Sequence, residues 1–210
     1  MMRVFVALDL EEEIRNNIAR FVAEVRALAP QARWISPDSL HVTLKFIGET
    51  PDSFVAETER ALGSIRAVPF ALRFRGVGFF PTTKAARVFW VGIEADPDLG
   101  QLASTIEDVL AKIGIAKEQR AFSPHLTLAR SSGAGTSKAR ASVGSGAPGW
   151  RKGDKLNRQF ARLQEKLTEH PVPDFGTMSA HEFFLYRSQL SSKGSQYTKI
   201  ARFEMQSFVE

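Results

Sequence analysis

His41-Val42-Thr43-Leu44 and His125-Leu126-Thr127-Leu128 repeat one pattern, His-x-Thr-Leu, in a chain with four histidines. Each copy lies in an apolar run, Ser39 to Gly48 for the first and Phe122 to Arg130 for the second. Such runs predict β-strands. Side chains alternate between the faces of a strand. His and Thr two apart therefore share one face, while Val42, Leu44, Leu126 and Leu128 turn to a core. Two such faces opposed across a cleft would present two imidazoles and two hydroxyls. That set suits acid–base chemistry on a phosphate ester. One imidazole takes a proton from water, the other protonates the departing alkoxide, and hydroxyls with a nearby cation hold the non-bridging oxygens. Histidine, with an unperturbed pKa of about 6.5, can serve on either side of that exchange at neutral pH.

A single His-x-Thr carries little weight, because strand histidines are commonly structural and Thr is a favoured strand residue. The repetition carries the argument. Zinc chemistry is the competing interpretation, but it needs three or four ligands, and no H-E-x-x-H type spacing occurs. His170, ahead of Pro171, and His181 do not complete a ligand set. No metal and no other cofactor is expected.

The elements that must position these residues follow from periodicity. Residues 3–10 predict a strand, and Glu11 to Leu28 an amphipathic helix with Ile14, Ile18, Phe21, Val22 and Val25 on its stripe. Trp34-Ile35 leads into a Ser36-Pro37-Asp38 turn and the first motif strand. A second helix is predicted over Phe54 to Ile65, then a strand at 70–74, an apolar piece at 77–81 and a strand at 87–93. A third helix over Leu99 to Ile113 precedes the second motif. Lys155 to Leu167 predicts a basic helix, and 181–186 with 197–203 a closing pair of strands. The predicted class is α+β, a bilobal, pseudo-two-fold duplicated unit with antiparallel or mixed sheets lining a central cleft and helices outside.

The chain has 210 residues and 43% hydrophobic composition, enough for one large core or two small lobes. Cysteine is absent, which excludes disulfides, thiolate zinc sites and cysteine nucleophiles. The apolar run at the N-terminus is too short for a membrane span and has no cleavage pattern. A cytoplasmic protein with no membrane partner is expected. The net charge of +5 is local: residues 131–168 hold eight basic and two acidic side chains, leaving the remainder close to neutral. Ser131 to Gly149 has linker composition. The expected organisation is one domain over 1–210 with a Gly/Ser-rich basic insertion at 131–168, either a solvated segment or an arm that steers polyanions.

These motifs resemble the 2H phosphoesterase superfamily, and most closely the bacterial RNA 2′,3′-cyclic phosphodiesterases, also called the 2′-5′ RNA ligase family. The likeness extends to Arg3–Leu8, Trp34, Leu40–Gly48, Gly78–Pro81, Arg87–Gly92, Arg120–Arg130, Leu185–Leu190 and Tyr197. It implies hydrolysis of RNA 2′,3′-cyclic phosphate ends to 2′-phosphomonoesters. By motif order it makes His41 the proton donor and His125 the proton acceptor, with Thr43, Thr127 and Arg130 on the phosphate. Partners would be RNA ends or cyclic nucleotides, met by a monomer. Trp34 and Phe5 are candidates for base stacking, although core packing suits both. Alternatives are 2′-5′ ligation by the reverse reaction, action on another small cyclic phosphate, and a non-catalytic RNA-binding module built on the 131–168 arm.

Overall fold

A computed structural model of the chain describes residues 1–95, 97–132, 157–169, 171–191 and 194–206. In chain order they form β1 (Met2–Leu8), α1 (Glu12–Val25), β2 (Arg33–Trp34), β3 (Val42–Thr50), α2 (Asp52–Gly63), β4 (Phe70–Phe80) and β5 (Val88–Glu94). Then come α3 (Asp98–Lys112), β6 (His125–Arg130), α4 (Ala161–Thr168), β7 (Asp174–Ala180), β8 (Glu182–Ser191) and β9 (Gly194–Glu204). The strands make two sheets, β3-β1-β8-β9 and β2-β6-β5-β4-β7, and all the pairings are antiparallel. The α+β class with two antiparallel sheets is as the sequence predicts.

Alternation decides what each strand buries. In β1, Val4, Val6 and Leu8 enter the main core, while Phe5 and Ala7 face the other way and pack with Phe184 and Tyr186. In α1, Ile14, Ile18 and Val25 are buried on one stripe, and Glu12 and Glu13 in the first turn complement the helix dipole. In α3 the stripe is Leu99, Leu102, Ala103, Ile106 and Leu110.

The two halves exchange elements. β2, from the first half, pairs with β6 in the five-stranded sheet, and α1 packs on β7 of that same sheet. Conversely, α3 from the second half packs on β3 of the four-stranded sheet. A buried ion pair seals this crossing: Lys45 Nζ of β3 donates to Glu107 Oε2 of α3 at 2.6 Å and to the Ala116 carbonyl at 2.7 Å. The same Glu107 oxygen accepts the Glu118 N–H at 3.1 Å. The segment leading to His125 is thus tied to the strand that follows His41.

Three features differ from the periodicity. The predicted pieces at 70–74 and 77–81 are one strand, β4, broken only by a bulge at Gly76 with φ +74°. Gly78 is required there, since a Cβ would lie 2.2 Å from the Trp90 ring. Second, β7 carries no clear strand signal. Its residues, Asp174-Phe175-Gly176-Thr177-Met178-Ser179-Ala180, are mostly poor strand formers, yet they pair along β4 and bury Phe175, Met178 and Ala180.

Third, the basic helix predicted from Lys155 begins at Ala161, and its approach is docked rather than solvated. Phe160 is fully buried against Phe79 and Phe89, and Asn157 Nδ2 donates to the Ala86 carbonyl. The other predicted basic residues of the insertion, Lys138, Arg140, Arg151, Lys152 and Lys155, lie outside the described residues, as do Asp154 and His170. Docking of 157–168 is checked by Phe160→Ala. Denaturant unfolding is expected to show a loss of about 3–5 kcal/mol; a loss near zero would mean that the segment contributes no core.

Candidate active site

His41 stands one residue before β3, at the end of a short 3₁₀ turn over Pro37–Ser39, not inside a strand. Its Nδ1 lies 2.8 Å from the Ser39 carbonyl. His125, the first residue of β6, repeats the arrangement, with Nδ1 2.8 Å from the Ser123 carbonyl. A carbonyl only accepts, so Nδ1 carries the proton in both rings. Each Nε2 is then the nitrogen left to act. Both rings are braced by aromatics: His41 lies 4.8 Å from Phe5 and edge-on to Tyr197 at 5.0 Å, and His125 is edge-on to Phe80 at 5.0 Å.

The turn before His41 has its own anchor in Arg15 of α1. Its guanidinium donates to the Pro37 carbonyl at 2.6 Å, to the Leu10 carbonyl at 3.2 Å and to Asp9 Oδ1 at 2.7 Å. Asp9 also accepts from Lys199 Nζ of β9 at 2.5 Å. Sequence reasoning did not single out these residues, because their role depends on contacts between remote segments.

Strict alternation would turn Arg130 away from His125 and Thr127, towards the face of Leu126 and Leu128. A one-residue slip in the pairing corrects this. Trp90 pairs with Thr127 but Phe89 with Ala129, so Leu128 is the extra residue and Arg130 returns to the cleft face. The first motif carries the same device. Ala7 pairs with Thr43 but Val6 with Lys45, so Leu44 is extra, Lys45 turns into the core and Phe46 returns to the cleft face. Phe46 and Arg130 therefore occupy equivalent places, each three residues beyond its threonine.

The outcome is one cleft lined by His41, Thr43 and Phe46 from the first sheet's side and His125, Thr127 and Arg130 from the second's, together with Ile35, Ser39 and Tyr197. All five residues selected from the sequence meet there. Phe46, 41% exposed, and Tyr197 are aromatic lining residues that the motifs did not mark as such. Phe5 is instead buried, and Trp34 packs edge-on to Phe89 with its Nε1 donating to the Ala29 carbonyl. Neither presents a face to the cleft.

Burial holds the His41 imidazole down at about 4; the Ser39 carbonyl pulls it up, Arg130 pushes it down and Asp9 raises it. His125 is also held below the usual value, by burial and then Arg130, against the pull of the Ser123 carbonyl. Burial and neighbouring Arg33 lower Arg130 too, yet a guanidinium stays charged at any relevant pH. Among the described residues no carboxylate pairs with Arg130, and no three His, Asp or Glu side chains gather as metal ligands. The cleft thus brings together two imidazoles held below their usual range, two hydroxyls and a cation with no carboxylate partner among the described residues.

Known proteins resemble this chain in sequence and in fold. The family model described as LigT like Phosphoesterase matches residues 8–90. The RNA 2′,3′-cyclic phosphodiesterase of Archaeoglobus fulgidus is 28% identical over 97% of this chain and 100% of its own length. The protein of the same name from Thermus thermophilus is 35% identical over 61% of this chain and 68% of its own. Among solved structures, LigT from E. coli complexed with 3′-AMP superposes with a TM-score of 0.72 at 27% identity, covering 98% of this chain and 99% of that one. The chain belongs to the LigT-like phosphoesterases, the 2H family.

Proposed function

We propose that the protein hydrolyses RNA 2′,3′-cyclic phosphate ends to 2′-phosphomonoesters without a metal ion, through the two histidines. The observation that carries this is the matched pair of imidazoles. Each is locked by an Nδ1–H···O=C bond so that Nε2 is its working atom, and both border one cleft with Thr43, Thr127 and Arg130. The relatives' names supply the substrate class.

In the forward step His125 Nε2 takes a proton from water as its oxygen attacks phosphorus. The P–O3′ bond breaks, and His41, protonated on Nε2, gives its proton to the departing 3′ oxygen. The product is a 2′-phosphomonoester with a free 3′-hydroxyl. Thr43 and Thr127 hydroxyls and the Arg130 guanidinium hold the non-bridging oxygens, where charge grows in the transition state. His41 needs its proton before it can act, and an imidazole held down at about 4 is neutral at pH 7. The substrate's own negative charge restores the balance, since an anion between the rings favours imidazolium. Asp9 raises His41 and its ion-pair partner Arg15 lowers it, so the choice of His41 as the acid rests on motif order. The chain is taken to act as one bilobal unit, with residues 131–168 an insertion between β6 and β7.

His41→Ala and His125→Ala are each expected to lower kcat by about 10²–10⁴-fold, with the double variant little worse than the worse single one. EDTA should leave the wild-type rate unchanged. Chromatography that separates 2′- from 3′-phosphate ends should show only the former. Unimpaired single-histidine variants would end the two-histidine mechanism.

The pH profiles should differ in a stated direction. kcat/KM reports the free enzyme, where both imidazoles are depressed, and kcat the complex, where bound anion raises them. The kcat/KM optimum is therefore expected at lower pH than the kcat optimum. Arg130→Gln removes a depressing cation from both rings, so both should titrate at higher pH by NMR. Coincident optima, or unmoved titrations, would contradict the electrostatics.

A further inference from the structure

Arg33 is a cation that the reaction above does not use. It lies on β2, the edge strand of the five-stranded sheet, and pairs directly with Arg130 across the β2–β6 ladder. Residues opposite one another in an antiparallel pair project from the same face, on strands about 4.8 Å apart. The Arg33 side chain therefore emerges beside Arg130, but on the outer, exposed strand. Like charges so placed destabilise a sheet. Among the described residues neither guanidinium has a carboxylate partner. Arg130 feels the proximity, since Arg33 is one of the groups that lower it.

The path from the cleft to Arg33 is short and continuous. Ile35 lines the cleft, and its N–H bonds to the Leu128 carbonyl, so β2 runs along the cleft's rim. On the opposite wall the place equivalent to Arg130 is held by Phe46, which offers no charge. A chain of phosphates leaving the site therefore finds cations along β6 and β2 and an apolar ring on the other side.

We infer that Arg33 is a specificity-determining residue that binds the phosphodiester on the 5′ side of the terminal nucleotide, so that the enzyme prefers an RNA strand over a cyclic mononucleotide. This deepens the proposed function and rests on it. The two guanidiniums form a ladder for successive phosphates: Arg130 takes the reacting one in the cleft, and Arg33 takes the next at the rim. An anion at each relieves the repulsion between them.

The test compares an oligoribonucleotide ending in a 2′,3′-cyclic phosphate with a nucleoside 2′,3′-cyclic monophosphate, for the wild type, Arg33→Ala and Arg33→Lys. Arg33→Ala is expected to lower kcat/KM on the oligonucleotide about ten-fold, mainly through KM, the size of one hydrogen bond to a charged group. The loss on the mononucleotide should be at least five-fold smaller. Arg33→Lys should recover much of the loss. The salt dependence of kcat/KM on the oligonucleotide should weaken by about one phosphate contact, roughly 0.7 in the log–log slope for a single strand. Equal losses on both substrates would mean that Arg33 acts only through Arg130, and no loss on either that it is a solvated charge; both overturn the inference while leaving the hydrolase reading intact. A wild type inactive on both substrates overturns that reading and this one with it.

Discussion

An imidazole whose Nδ1–H is given to a backbone carbonyl has one nitrogen left, and its direction is set by the backbone. That constraint, made twice with the carbonyl two residues earlier, governs this cleft. It fixes the tautomer, holds the ring plane and excludes Nδ1 from the substrate. It also makes each histidine depend on the turn before it rather than on a separate carboxylate partner. For His41 that turn is a single 3₁₀ turn held by the Arg15 guanidinium. For His125 the preceding segment is anchored further back, where Glu107 binds both the Glu118 N–H and Lys45. The two solutions differ in their parts and agree in their result.

The packing serves the same end. Because α1 crosses to the second sheet and α3 to the first, neither sheet can shift without disturbing a helix rooted in the other half. Lys45, only 6% exposed, is the polar component of that crossing. A buried ion pair is weak evidence for net stability, since desolvation offsets much of the attraction. Its geometric demand is strong, because three hydrogen bonds converge on a site with little freedom. An aromatic ring packs on each imidazole, Phe5 on His41 and Phe80 on His125.

Much of this was legible in the sequence. The repeated His-x-Thr in apolar runs marked residues that meet in one cleft, and periodicity found the helices and most strands. What escaped it has identifiable physical causes. β7 is poor in strand formers and is held in the sheet by pairing with β4. Phe160 looked like part of a basic helix until its burial under Phe79 and Phe89 was visible. Arg130 was selected from the sequence, yet alternation alone would have turned it into the core; the bulge at Leu128 is invisible in residue types. Phe46 was missed for the same reason, since the bulge at Leu44 exchanges its face with that of Lys45.

Those two bulges also give the cleft a direction. A duplicated scaffold whose halves were alike would accept a nucleotide equally well in either of two orientations related by the pseudo-two-fold axis. The bulges bring one residue from each half to matching places, and those residues differ as much as two side chains can: a flat apolar ring and a fixed cation. A ligand with unlike ends therefore meets a frame with unlike ends, a flat ring on one wall and a cation on the other.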